Sequence, residues 1–295
     1  MECDCIPPNK QAYLIIAHKE DLVFRTLLQL LDDPRNDIFI HMDKKNSSYD
    51  AEKIEGQLKK SNIYHTERTS VSWGGYSLVN AELLLLKKAV SVGRYQHYHL
   101  LSGADLPLKS QDDIVAFFEA NEGKEFIRFE KENFTYRNRV QYFYPFQEMV
   151  GRGEKKLWSL LNGIALIVQK TLKMNRNKQI IFQKGTQWFS ITDSLARYVV
   201  EQESWIQSVF HSTLCCDEVF LQTIVNQSNY RDRLYHREYD NDLHAIMRYI
   251  DWERGCPYVF TLADMDELLK SGMMFARKFD EQVDKKIIIE LANLL

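Results

Sequence analysis

Three short apolar runs constrain this chain more than anything else in it. AYLIIA (Ala12 to Ala17) and DIFIH (Asp37 to His41) are continuous rather than alternating, and HYHLL (His97 to Leu101) returns as a third strand. Runs of that length fit strands covered on both faces. Segments at helical spacing follow the first two runs or precede the third, about Asp21 to Leu31 and Ser77 to Val92. Asp112 to Ala120 opens with acidic residues that suit a helix N-terminus. EFIRF around Phe126 reads as another strand, as does QWFSI (Gln187 to Ile191), with a helix from about Asp193 and another over Asp217 to Val225. This β-α-β alternation predicts an α/β fold with a Rossmann-like central sheet flanked by helices.

A chain of 295 residues, 45% hydrophobic and 27% charged, is sized for one large domain over 1–295. A formal net charge of −3 gives no global attraction to polyanions, so nucleic acid is not an expected partner. The five cysteines (Cys3, Cys5, Cys215, Cys216, Cys256) have neither disulfide-framework nor metal-finger spacing. The opening MECDCIPPNKQAY lacks the basic start and apolar run of a signal peptide. The longest uncharged apolar stretch, Leu157 to Gln169, is well short of the roughly 20 residues that span a bilayer. A soluble or peripheral protein of the reducing cytosol is the expectation.

The pattern changes after Glu130. NFTYRNRVQYFY mixes aromatic and basic residues, and Lys155, Lys156, Lys170, Lys173, Arg176 and Lys178 surround an apolar helix. Residues 130–180 read as an insertion that either forms the acceptor side or touches a membrane surface. An ordinary amphipathic helix with a solvated basic face fits equally well.

Several segments carry possible chemistry. Asp43 closes the second apolar run, at a strand's carboxyl end, where open α/β sheets bind ligands. SGADLPLKS, containing Asp105, follows a strand directly and is either a ligand-contacting loop or a plain turn. VSWGGYS places Trp73 and Gly74 before a helix; the tryptophan stacks on a ligand or is simply buried. Glu218 at a helix's first turn is a candidate base or merely a capping carboxylate. Arg277 and Lys278, with Arg254, are cations that would suit a diphosphate, although such a pair is commonly a solvated surface feature. Asp240-Asn241-Asp242 and Asp264-Met265-Asp266 have the Asp-x-Asp spacing of divalent-metal sites. Neither follows an apolar strand in the first half of the chain, and neither is expected to bind metal. His18 and His41 follow strands, but no hydrolase motif accompanies them.

Taken together and in this order, AYLIIAHK, IFIHMDKK, SVSWGGYSLVNAEL, HYHLLSGADLPLKS, KGTQWFSIT, DEVFLQTIV, RYIDW and FARKFD resemble the family of core-2/I-branching β-1,6-N-acetylglucosaminyltransferases and peptide O-xylosyltransferases. They run from residue 12 to 280. The resemblance implies a GT-A-type fold that works without a divalent metal or other cofactor, and an inverting transfer from a UDP-sugar to a glycan or lipid-linked glycan acceptor. It makes Glu218 the base. Ala17, His18, Asp43, Trp73, Gly74, Asp105, Arg254, Arg277 and Lys278 fall on the donor side, with Asp43 at the uridine and Lys278 and Arg277 at the diphosphate. Gln187, Trp188 and Trp252 fall on the acceptor side. Arg254 is out of register with the family's second diphosphate arginine. Gln187 stands where the xylosyltransferase branch carries aspartate, which tilts the donor toward UDP-N-acetylglucosamine, with UDP-xylose the alternative. Lacking the relatives' anchor and disulfides, the chain looks like a bacterial, cytoplasmic member that builds surface polysaccharide, peripheral at the inner membrane face through 150–180. A sugar-nucleotide or glycan-binding protein without turnover is the reading from another class.

Overall fold

The computed structural model describes residues 10–151 and 156–295. Cys3, Cys5, residues 1–9 of the stretch read for a signal and Lys155 lie outside the described residues.

The three apolar runs are strands: β1 (Gln11–Ala17), β2 (Asn36–Met42) and, fourth in chain order, β4 (His97–Ser102). With β3 (Asn62–His65), β6 (Phe126–Phe129) and β7 (Gly185–Thr192) they form a six-stranded sheet in the order β3-β2-β1-β4-β7-β6. The first four are mutually parallel; β7 runs antiparallel to both β4 and β6. The mixed sheet and its flanking helices are the fold class expected from the sequence.

Alternation along β1 explains why its run had to be apolar throughout. Ala12 and Leu14 belong to one hydrophobic core, with helices Tyr76–Val92 and Asp193–Glu201; Tyr13 and Ile15 belong to the other, with helices Leu22–Leu30 and Lys285–Leu294. The first helix starts where its cap dictates: Asp21 accepts the Phe24 amide at 3.0 Å. Ser110 caps helix Gln111–Ala120 in the same way.

A second, three-stranded sheet joins β5 (Asp105–Pro107), β9 (Phe275–Arg277) and β8 (Arg248–Ile250), with β9 central, antiparallel to β5 and parallel to β8. From β1 the chain goes to β2 on one side and reaches β4 on the other. The carboxyl ends of β1 and β4 therefore flank a topological switch point, the crevice where α/β sheets take ligands. The second sheet is attached there, because only Gly103 and Ala104 separate β4 from β5.

Between β6 and β7 the described residues form helices Arg137–Gln141, Gln147–Val150 and Lys156–Thr171, and no strand. No helix among the described residues is long and apolar enough to cross a membrane.

Candidate active site

Asp105 anchors one end of the site. The turn out of β4 folds back so that the Ser102 amide donates to Asp105 Oδ2 at 3.1 Å and the Ser102 hydroxyl to Oδ1 at 2.6 Å. Pairing of β5 with β9 sets Asp105 opposite Arg277, whose Nη1 donates to Oδ1 at 2.7 Å and also to the Ser102 hydroxyl. Arg248, on β8, is fully buried behind them. Its Nε is 3.9 Å from Asp105 Oδ2, and none of its three nitrogens has a hydrogen-bond partner. The Trp188 ring lies 4.5 Å from the Arg277 guanidinium carbon and 5.3 Å from that of Arg248. One carboxylate thus serves two guanidiniums, and burial pushes Arg248 down to about 10. This corner carries excess positive charge held in place before any ligand arrives.

The rest of the crevice is formed by the strand ends. The Asp43 amide donates to the Ala17 carbonyl at 2.8 Å and the Gly103 amide to that of Ile16 at 3.0 Å, so the ends of β1, β2 and β4 are laced together. Asp43 is buried and accepts the Lys45 amide at 2.9 Å. His18, Lys45, Asn46 and Lys53 line an adjoining depression of about 580 Å³. Lys278, half-buried, follows Arg277, and its carbonyl accepts the Phe260 amide at 3.0 Å.

Because β7 runs antiparallel to β4, its amino-terminal part also reaches this end of the sheet. Trp188 lies four residues beyond Lys184, about 13 Å along an extended chain, and Lys184 contacts Glu218. Gly185 is what lets β7 approach β6 there: a Cβ on it would stand 1.7 Å from the Arg128 carbonyl oxygen. Glu218 itself is not in the first turn of a regular helix, as the sequence had suggested. Cys215 is left-handed (φ 47°), Cys216–Glu218 is a 3-10 turn, and Val219 (φ −128°) breaks the chain before helix Phe220–Asn226. The break turns Glu218 away from the helix.

Glu218 Oε2 accepts Arg139 Nη1 at 2.8 Å and lies 3.5 Å from Lys184 Nζ. Lys184 also pairs with Glu130 at 2.5 Å, and both cations sit over the Tyr136 ring, at 4.8 and 4.9 Å. Behind Glu218, burial and then the Glu218 charge push Asp217 up to about 7. Burial, followed by the charge of Asp217, pushes Glu82 well up. Gln187 donates to Glu82 at 3.0 Å. Gln187 and Trp188 therefore point to opposite faces of β7, the first into this buried acid pair and the second to the arginines. The sequence had grouped both with the acceptor.

The Trp73 loop closes the site beside the Cys216–Glu218 turn. The Cys215 amide donates to the Gly74 carbonyl at 2.9 Å, and Gly74 takes a φ of 71° that glycine adopts without strain. Glu148 holds the loop from the other side, accepting the Ser77 amide at 2.8 Å and the Ser77 hydroxyl at 2.6 Å, while Ser72 donates to the Glu148 carbonyl at 2.6 Å. A Cβ at position 75 would collide with that carboxylate. Trp73 is 50% exposed and Trp252 49%, which rules out the buried alternative for Trp73.

Arg254 is held by carboxylates other than Asp105. It pairs with Asp251, Asp264 (2.6 Å) and Glu267 (3.4 Å) and lies over Tyr258, so its charge is already matched. The same contact, with the Thr261 cap, occupies Asp264 of the second Asp-x-Asp. Asp240 and Asp242 of the first lie with His236 so that their ligating atoms are within 4.8 Å of one another, each acid hydrogen-bonded to a neighbouring histidine. Cys215, Cys216 and Cys256 are free thiols. Arg248, Arg139, Lys184, Tyr136 and Glu148 were not on the sequence's list. Lys184 stands inside the quoted KGTQWFSIT and Arg248 begins RYIDW, so both were within reach of the motif reading.

A mixed α/β sheet with charged groups gathered at its topological switch point defines the class: an α/β protein with a candidate ligand site at that end of the sheet. The chain belongs to the family described as Core-2/I-Branching enzyme, whose model matches residues 11–270. Human xylosyltransferase 2 is 23% identical over 305 residues, covering 96% of this chain and 33% of the relative. The human β-1,3-galactosyl-O-glycosyl-glycoprotein β-1,6-N-acetylglucosaminyltransferase is 25% identical over 303 residues, covering 92% of this chain and 66% of that protein. This chain thus spans a third of the first relative and under two thirds of the second. Among solved structures, apo mouse xyloside xylosyltransferase 1 superposes with a TM-score of 0.37 at 9% identity, over 90% of this chain and 96% of that one.

Proposed function

We propose that this chain transfers a sugar from a UDP-sugar to a hydroxyl of a glycan acceptor, inverting the anomeric centre and needing no divalent metal. The observation that carries the reading is the fixed excess of positive charge at Arg277 and Arg248 around a single carboxylate, on the same strand end that leads to Glu218. In this reading the donor's diphosphate lies at Arg277 and Lys278, its uridine toward Asp43 and the His18 depression, and its sugar toward Glu218. The acceptor oxygen attacks the anomeric carbon as the bond from that carbon to the phosphate oxygen breaks. The hydroxyl proton passes to Glu218, and the electron pair leaves with UDP. Arg139 and Lys184 both engage Oε2 of Glu218, which directs Oε1 to the acceptor. Preorganised cations stabilise the developing diphosphate charge without reorganising during the reaction.

The donor sugar is N-acetylglucosamine in this proposal. Xylose is the second reading, supported by the names of the xylosyltransferase relatives and by the contact of Gln187 with Glu82, which takes its side chain away from the arginine face. UDP release from a panel of UDP-sugars in the presence of EDTA, comparing the wild type with Glu218→Gln, tests the mechanism and names the sugar. Turnover of one donor should fall by about 10²-fold or more in the variant, with donor binding retained. Equal turnover in the two proteins would remove Glu218 from the chemistry.

A further inference from the structure

Helix Lys156–Thr171 is amphipathic in the reverse sense. Its two buried side chains are polar, Asn162 and Gln169. Asn162 accepts the Phe146 amide at 3.1 Å; Gln169 accepts the Phe143 amide at 2.7 Å and donates to the Phe143 carbonyl at 2.9 Å. Apolar side chains face outward instead. Leu157, Leu160, Ile164, Ile167, Val168 and Leu172 fall on one stripe at helical spacing, and all are exposed, Leu157 by 62% and Ile167 by 66%. A contiguous apolar surface of this kind on a folded protein marks something that covers it. No aspartate or glutamate occurs between Lys156 and Lys184, while Lys156, Lys170, Lys173, Arg176 and Lys178 lie along the same segment.

We propose that this helix docks on an anionic lipid surface, its apolar stripe set into the headgroup and acyl boundary and its lysines among the headgroups. Charge selects this occupant. A second copy of the same face would bring two wholly basic segments together, whereas a bilayer containing anionic lipid supplies both the apolar depth and the opposite charge. The placement gives the segment a purpose, and here the inference rests on reading Glu218 as the acceptor side. The segment that carries the helix also supplies Arg139 to Glu218 and Glu148 to the Trp73 loop. Docking would therefore set the acceptor side against the lipid, where an acceptor carried on a lipid is presented.

The test is flotation of the full chain with phosphatidylcholine vesicles, with and without phosphatidylglycerol, comparing the wild type with Leu160→Ser/Ile164→Ser/Ile167→Ser and with Lys170→Glu/Lys173→Glu. The wild type should float with the anionic vesicles only, and binding should fall about tenfold or more in either variant and at high salt. These side chains lie outside the site, so UDP release without vesicles should be unchanged in both variants; a failed docking result thus leaves the transferase reading standing, and the reverse also holds. A wild type that does not float with anionic vesicles would overturn the proposal. So would a wild-type dimer, seen by sedimentation, that the triple variant converts to monomer, because the stripe would then belong to a second copy.

Discussion

At Arg277 every group that fixes the side chain comes from the two sheets: Ser102 from β4, Asp105 from β5 and Trp188 from β7. Asp105 is fully buried. At Glu218 the fixing groups come from outside the regular sheet: Arg139 and Tyr136 from the segment after β6 and Lys184 just before β7. Glu218 keeps 33% of its side chain exposed. The difference separates two uses of charge. At the first end charge is part of the core. At the second it is supported from the periphery, where a proton can come and go and an acceptor can approach.

The sharpest way to break this comparison is to remove each carboxylate and measure folding. Asp105→Asn leaves two arginines in low dielectric without a counter-charge and should cost about 3–5 kcal/mol by urea unfolding. Glu218→Gln, at a half-exposed ion pair, should change stability by about 1 kcal/mol or less while abolishing most turnover. Similar stability losses at both positions would dissolve the distinction.

Asp217 offers a smaller and directional effect. Its folded value near 7 lies above the ordinary 3.8, so the folded state holds the proton between those values and wild-type stability falls as pH rises through that window. Asp217→Asn removes this dependence. Relative to the wild type it should gain on the order of 4 kcal/mol between pH 4 and pH 8, read from chemical unfolding at each pH. A gain in the opposite direction would show that Asp217 is ionised in the fold. Arg139→Gln should lower turnover about tenfold with the donor's KM unchanged, since it positions Glu218 and touches no donor group. The smallest expected effect is that of EDTA, which should leave turnover unaltered. Loss of activity restored by manganese would transfer the role of the arginine corner to a metal.

The sequence was most informative where a pattern had to satisfy two cores at once. β1, β2 and β4 are buried on both faces, so their runs carry few solvent-facing residues and were easily read. β5, β8 and β9 have three residues each, too few to display a period, and the second sheet was not foreseen. Arg248 was missed for a related reason: between Met247 and Tyr249 a lone arginine resembles the solvent side of a strand, although here it is sealed under Trp188. The expected helix at Glu218 broke because Val219 and Phe220 continue an apolar pattern across a change of backbone direction. In helix Lys156–Thr171 an apolar helix among basic residues was legible, but not which side faces inward. Asn162 and Gln169 are seven residues apart, and so are Leu157 and Ile164; only the hydrogen bonds to Phe143 and Phe146 show which side faces inward.

The Glu148 clamp on Ser72 and Ser77 bears on how this architecture can be recombined. The helix containing Glu148 precedes the basic helix by only a few residues, yet its carboxylate seats the loop that carries Trp73. Grafting a relative's 130–180 segment into this chain would exchange the recognition surface and also detach the clasp on the opposite wall. A working chimera would have to move three pieces together: the segment, the serines of the Trp73 loop and the Cys216–Glu218 turn that Arg139 engages.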